Sequence, residues 1–213
     1  MGVATRIIAI RHGETAWNVD TRIQGQLDIG LNAKGRWQAQ RVAQALAEEP
    51  IQAVYSSDLL RAWDTAISIA DATRQALQTE QGLRERGFGL FEGKTFAQIE
   101  ATWPDQALLW RKREPHFAPE GGESLAAFRD RILAVITRFA SQHLGEQIVV
   151  VAHGGVMDVL YRAATRQEIQ SPRTWDLGNA AINRLLWTPE GLSLVGWSDT
   201  RHLDDLTLDE TAG

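Results

Sequence analysis

Three continuous apolar runs, each ending abruptly in a polar turn, limit this chain's folds more than any other feature. Ile7-Ile8-Ala9-Ile10 stops at Arg11-His12-Gly13, Ala53-Val54-Tyr55 at Ser56-Ser57-Asp58, and Ile148-Val149-Val150-Val151-Ala152 at His153-Gly154-Gly155. A strand with one wet face alternates apolar and polar residues, whereas an unalternating run suits a strand covered on both faces. Stretches of helical period separate the runs. Residues 34–48 set Trp37, Val42, Ala45 and Leu46 among Arg and Gln, with Asn32 as N-cap and Pro50 beyond the end. Residues 59–76 carry Ala62, Ala66, Ile69 and Ala70 on one face, and residues 123–143 repeat Leu125, Phe128, Ile132, Val135, Ile136 and Phe139. A further helix is expected from about residue 156 to 164. Near the end, residues 181–187 and 192–197 flank Thr188-Pro189-Glu190-Gly191, the pattern of a hairpin.

Strand–helix alternation of this kind predicts an α/β fold: a doubly wound, mostly parallel sheet between two helical layers, with a C-terminal hairpin. No repeat or polar linker divides the 213 residues, a length within one domain's range, so residues 1–213 read as a single domain. About 85–123 reads as a cap-like or lid-like excursion, and about 204–213 as a frayed acidic tail. Ligands of open α/β sheets bind outside the carboxyl ends of the strands. Two of the five histidines, His12 and His153, fall there.

Composition narrows the function classes. With no cysteine, disulfides, thiolate catalysis and cysteine-ligated metals are excluded together. No apolar run is long enough to span a membrane, no secretory leader is read, and Arg6 stands where a myristoylation motif wants Ser or Thr. The net charge of −5 argues against nucleic acid and anionic membranes as partners. A cytoplasmic enzyme or binding domain is expected, with a homodimer left open. Of the 22 cations only Lys34, Lys94 and Lys112 are lysine. Arginine's planar fork suits phosphate and carboxylate, although coding bias explains a high count equally well.

If His12 and His153 converge with Arg11 and with Arg61, on the first turn after Ser57, two imidazoles and two guanidiniums surround one space. Phosphoryl transfer needs such preorganised positive charge far more than bond-making by protein. An imidazole can take the phosphoryl group in line, and a carboxylic acid can then protonate the leaving oxygen.

Arg11-His12-Gly13-Glu14-Thr15 followed by Trp17-Asn18 resembles the signature of the histidine phosphatase superfamily, which contains the cofactor-dependent phosphoglycerate mutases. Gln24-Gly25, Leu31-Asn32-Ala33-Lys34-Gly35, Ser56-Ser57-Asp58-Leu59-Leu60-Arg61-Ala62, Leu83-Arg84-Glu85, Glu92-Gly93, Gly122-Glu123-Ser124 and Ala152-His153-Gly154-Gly155 extend the resemblance in order over about residues 5–165. It implies a phosphoglycerate mutase-like fold. His12 would be the phosphorylated nucleophile, with Arg11, Arg61 and His153 as its cationic cage. Asn18 and Gln24, beside Gly25 and Gly154, would contact phosphate, and Glu85 would be the general acid and base. His12 must attack as neutral imidazole, so its other nitrogen should donate to a backbone carbonyl. Neighbouring cations favour the charged form of Glu85, and a bound dianion its protonated form.

The resemblance favours a metal-independent phosphatase without cofactor, acting on a small phosphate monoester. The alternative is a mutase using 2,3-bisphosphoglycerate, which must also hold the substrate's carboxylate. Mutases of this family carry a longer, more basic region before the second histidine than the segment from Glu85 to His153, and Gln24 also fits the phosphatase branch. A silent phosphate-binding domain would lack His12, Glu85 or Arg61. A metal held by the histidines with Glu14 and Asp158 is disfavoured by crowded cations and by the absence of His-x-x-x-His. Trp103 and Trp110, seven apart, read as core packing on one helix. Arg111-Lys112-Arg113 reads as a solvated face, or as part of a lid with Pro115, Pro119 and Gly121-Gly122. Arg84 and Arg86 read equally as substrate contacts and as surface ion pairs.

Overall fold

The computed structural model describes residues 3–204. A six-stranded sheet runs through it in the order β3-β2-β4-β1-β5-β6. Strands β1 (Thr5–Arg11), β2 (Ala53–Ser56), β3 (Leu77–Thr79) and β4 (Gln147–Ala152) pair in parallel. Strands β5 (Ile182–Thr188) and β6 (Gly191–Asp199) complete the other edge antiparallel, as the expected hairpin.

The unalternating runs now have a cause. Strand β1 sends Ile7 and Ala9 into one apolar cluster and Ile8 and Ile10 into another, and β4 divides Ile148 and Val150 from Val149 and Val151 in the same way. Helices α6 (Leu125–Ser141) and α7 (Gly154–Thr165) cover the first face; α2 (Ala33–Leu46) and α3 (Leu60–Thr73) cover the second. All eight of those strand residues are at most 1% exposed. Each isoleucine or valine side chain so buried contributes roughly 1.5–3 kcal/mol. The parallel pairs and the two helical layers are therefore one solution to a single burial problem.

Capping sets the helix starts. Asn32 Oδ1 accepts from Gly35 N at 2.8 Å to begin α2, and Ser124 Oγ accepts from Ala127 N at 3.1 Å to begin α6. Helix α3 ends earlier than its pattern suggests because Arg74 adopts a left-handed φ of 57°. That turn frees Leu77–Thr79 to form β3, too short to show a period. Helix α7 begins earlier than expected, taking in Gly154 and Gly155. A four-residue helix, α1 (Ala16–Val19), follows the β1 turn.

Within residues 85–123, α4 (Phe96–Thr102) and α5 (Pro104–Arg111) build a separate small core. The tryptophans do not share one helix: Pro104 opens α5, and Trp103 sits between the two. Both still pack as core, around Phe91, Ile99 and Ala107. The expected acidic tail lies, past Asp204, outside the described residues.

Candidate active site

Strand register assembles the site. Arg11 lies opposite Ala152 and Ser56 opposite Val151, so the next residues, His12, Ser57 and His153, emerge together. The two imidazole centroids are 5.3 Å apart. His12 Nδ1 lies 2.7 Å from Gly13 O. A carbonyl only accepts, so Nδ1 carries the proton and Nε2 keeps its lone pair, with no hydrogen bond to it among the described residues. His153 Nε2 lies 2.8 Å from Ser57 Oγ, and Ser57 Oγ accepts from Leu59 N at 3.3 Å.

Burial, reinforced by Arg61, holds both histidines well below the ordinary imidazole range, with Arg11 adding to the effect on each and His12 adding to the effect on His153. Both are therefore neutral at pH 7. Their folded forms resist protonation while the unfolded chain's imidazoles accept a proton near pH 6.5. The unfolded state thus binds more protons below about pH 6.5, and stability is lost as pH falls through that value toward the folded pKa. Denaturant midpoints should drop between about pH 6.5 and 5, and His12→Asn should flatten that drop relative to wild type.

Arg61, on the first turn of α3, is 1% exposed and donates to Leu27 O at 2.8 Å and Gly25 O at 2.7 Å. Burial lowers its pKa to about 10, which leaves it charged at pH 7. Arg11 Nη1 donates to Leu177 O. The Nε atoms of both arginines and Nδ1 of His153 are buried without partners. The two unmet guanidinium N–H donors cost folding energy and suit a site built for an anion.

Glu85 reaches the start of α7: Oε2 accepts from Gly155 N and Oε1 from Arg86 N, each at 2.9 Å. A Cβ on Gly155 would overlap that carboxylate, and the Arg11 guanidinium lies against Gly154 on the same helix turn. The glycines that mimic a loop signal in sequence are the opening of a helix that the site approaches closely. Gln24 Oε1 accepts from Thr15 Oγ1 at 2.9 Å, and Asn18 Oδ1 from Thr15 N at 3.0 Å. Gly25 turns the chain at a φ of 52° and offers its carbonyl to Arg61.

A cleft of about 170 Å³ is walled by Arg11, His12, Asn18, Gln24, Gly25, Arg61, Glu85 and Gly154. Eight of the nine residues singled out in the sequence therefore share one wall. His153, fully buried, does not reach it. Sequence reasoning missed Arg22, Ile23 and Phe88 on that wall, and the bond from Ser57 to His153. Arg22 lies two residues from Gln24 and was within reach of the motif; Phe88 is brought in by a chain reversal that no local pattern reveals.

A second cavity of about 350 Å³ shares Arg11, Glu85, Phe88 and Gly154 with the first and extends to Arg86, Trp110, Arg113, Leu125, Phe128 and Arg173 among others. The basic run divides here. Arg111 pairs with Glu100 at 2.7 Å on the surface, but Arg113 turns inward, donating to Asp158 Oδ2 and to Ile169 O at 2.7 Å. Arg84 forms an ion pair with Asp58, at 2.6 and 2.7 Å, and Arg86 lines the cavity. The carboxylates weighed as metal ligands are otherwise engaged: Glu14 by Asn32 and Lys34, Asp158 by Arg113 and Arg162. Among the described residues no group of three or more His, Asp or Glu is placed to hold a metal ion. None of the described helices is long and apolar enough to cross a membrane.

A mixed sheet whose parallel strand ends carry two neutral histidines, with Arg11, Arg61 and Glu85 gathered beside them, defines an enzyme of phosphate chemistry. Residues 7–200 match the model of the histidine phosphatase superfamily (branch 1), and the chain belongs to that superfamily. It is 37% identical over 203 residues to phosphoglycerate mutase-like protein 4 of Arabidopsis thaliana, covering 93% of this chain and 87% of that one. It is 35% identical over 207 residues to the metal-independent phosphoserine phosphatase of the same plant, covering 95% and 84%. The solved structure of a mycobacterial glucosyl-3-phosphoglycerate phosphatase with VO3 superposes with a TM-score of 0.81 at 31% identity, covering 92% of this chain and 99% of that one. The two relatives named phosphatases are phosphomonoester hydrolases of the histidine-phosphatase type, and this chain is of that type.

Proposed function

We propose that the chain hydrolyses a small phosphate monoester through a phosphohistidine on His12. The observation that carries this reading is the His12 tautomer: Nδ1–H tied to Gly13 O, Nε2 unprotonated, on a wall shared with Arg11, Arg61 and Glu85. Nε2 attacks phosphorus and forms an N–P bond as the P–O bond to the leaving group breaks. Glu85 gives that oxygen its proton. Water then attacks the phosphohistidine, giving a proton back to Glu85, and inorganic phosphate leaves with the N–P electron pair returned to Nε2. Arg11 and Arg61 hold charge on the equatorial oxygens throughout, helped by Asn18 and Gln24 and by Gly25 and Gly154, which keep the backbone close. His153, bonded to Ser57, stands beside His12 with the ring centroids 5.3 Å apart.

No cofactor or metal enters this scheme, and the name of the metal-independent Arabidopsis relative supports that reading. The short segment from Glu85 to His153 supports hydrolysis over the mutase reaction. The rest of the reading is a single domain over 1–213 in the cytoplasm, as monomer or homodimer. Residues 111–122 would cover the site, as Arg113 lining the 350 Å³ cavity supports. Phosphate release should be measured on a panel of phosphomonoesters with and without EDTA and 2,3-bisphosphoglycerate. Release indifferent to both is the expected result. Isomerisation of 3-phosphoglycerate that strictly requires 2,3-bisphosphoglycerate would make it a mutase.

A further inference from the structure

Residues 176–180, between α7 and β5, lie against the end of β1 and are tied to it at three points. Leu177 O accepts from Arg11 Nη1, Ala180 N donates to Arg11 O at 2.9 Å, and the Asn179 side chain reaches His12. The segment is itself anchored, since Trp197 Nε1 donates to Asp176 O and His202 Nε2 to Ala180 O, each at 2.9 Å. Ala180 holds a left-handed φ of 56°, a conformation that a residue with a Cβ keeps only where its surroundings impose it. Asn179 Nδ2 lies 2.9 Å from His12 O and 3.3 Å from Asn18 Oδ1. The His12 carbonyl needs a donor, which fixes the end of the Asn179 amide that faces it. The second N–H of that NH2 group then meets an acceptor on Asn18. That acceptor, Oδ1, also takes the Thr15 N–H at 3.0 Å, so both of its lone pairs are filled. The Asn18 NH2 group is the end left over. It makes no hydrogen bond among the described residues, and Asn18 borders the His12 cleft. Asn179 borders neither that cleft nor the larger cavity.

We propose that Asn179 is a positioning residue for phosphate recognition, which turns the Asn18 amide so that its NH2 group faces the phosphoryl oxygens. The proposal rests on the phosphatase reading and deepens it at the same site. One bond from Thr15 N leaves the Asn18 amide free to pivot about it, whereas a second bond from Asn179 fixes its plane. An amide turned the other way would set its oxygen toward the anion and its NH2 group against two donors. Supporting hydrogen bonds of this kind hold a binding group in its productive orientation before the ligand arrives. Asn179 extends the site beyond the motifs, which end near residue 165, and it has no part in bond-making.

The test measures orthovanadate binding by calorimetry beside steady-state hydrolysis of p-nitrophenyl phosphate, with a thermal melt of every variant. Asn179→Ala should weaken orthovanadate and raise KM by about five- to twenty-fold, the lower part of the range for a hydrogen bond to a charged group. Its kcat should stay within about three-fold, because the His12 proton remains on Gly13 O. Asn179→Asp has the same shape but sets acceptors against His12 O and Asn18 Oδ1, so it should bind orthovanadate more weakly than Asn179→Ala. Asn18→Ala should weaken orthovanadate as well, and adding Asn179→Ala to it should cost less than about two-fold more, since coupled residues are not additive. Losses that multiply in the double variant, or an Asn179→Ala affinity equal to wild type, would overturn the proposal. So would an Asn179→Asp variant that binds as wild type does; if that variant does not fold, the double-variant comparison decides. Wild type that binds orthovanadate but hydrolyses no phosphomonoester would instead remove the phosphatase reading beneath it.

Discussion

His12→Ala should lower kcat for every phosphomonoester by roughly 10⁴-fold or more, the scale seen when a covalent nucleophile is removed. The alternative roles for an imidazole here predict less. A histidine that only binds phosphate would cost KM first, and one that only positions a water would leave a slow, unlabelled turnover. The geometry favours the stronger claim because Gly13 O fixes the Nδ1 proton and leaves the lone pair on Nε2, on the wall that Arg11 and Arg61 share. Acid quenching after mixing with ³²P-labelled substrate should trap acid-labile label on wild type and none on the variant. Label that persists in His12→Ala would place the nucleophile elsewhere. The substitution opens a cavity in a residue that is 2% exposed, so a thermal melt must accompany it. A loss of about 1–3 kcal/mol is compatible with a folded, inactive protein.

How much of this was legible in the sequence depends on the range of the signal. The strands that carry His12 and His153 were readable because burial on both faces forces an apolar run, and a polar turn marks the end of each. The partners of those residues were not. Ser57 meets His153 across 96 positions, and the Glu85 carboxylate meets Gly155 N across 70, so neither pairing leaves a local pattern. The family resemblance supplied what periodicity could not, by naming Glu85 without an account of what holds it. Arg113 shows the opposite failure. Its neighbours Arg111 and Lys112 are exposed and follow the solvated-face reading, but a left-handed φ of 53° at Arg113 turns the chain after α5. One dihedral sends that guanidinium into the cavity. Arg173 belongs to no motif, and only the folded segment between α7 and β5 brings it near Arg11.

Glu85→Gln should separate esters by how much their leaving group needs a proton. An alkoxide leaves poorly, so hydrolysis of an alkyl phosphate should slow by about 10²- to 10⁴-fold without the general acid. Nitrophenolate leaves unaided, and His12 should be phosphorylated by p-nitrophenyl phosphate at close to the wild-type rate. The second half of the cycle still lacks its base, because water must lose a proton to attack the phosphohistidine. The variant should therefore release a burst of nitrophenolate equal to the enzyme present, and then turn over slowly with labelled protein accumulating. Glutamine is not silent at this position. Both Glu85 oxygens accept from backbone N–H groups, of Arg86 and Gly155, and an amide must turn an N–H toward one of them. That mismatch costs roughly 1–3 kcal/mol and can displace the side chain. Displacement alone would slow alkyl and nitrophenyl esters by the same factor and produce no burst. Proton transfer predicts a burst on one ester and a block on the other, so pre-steady-state traces of the two substrates decide between them.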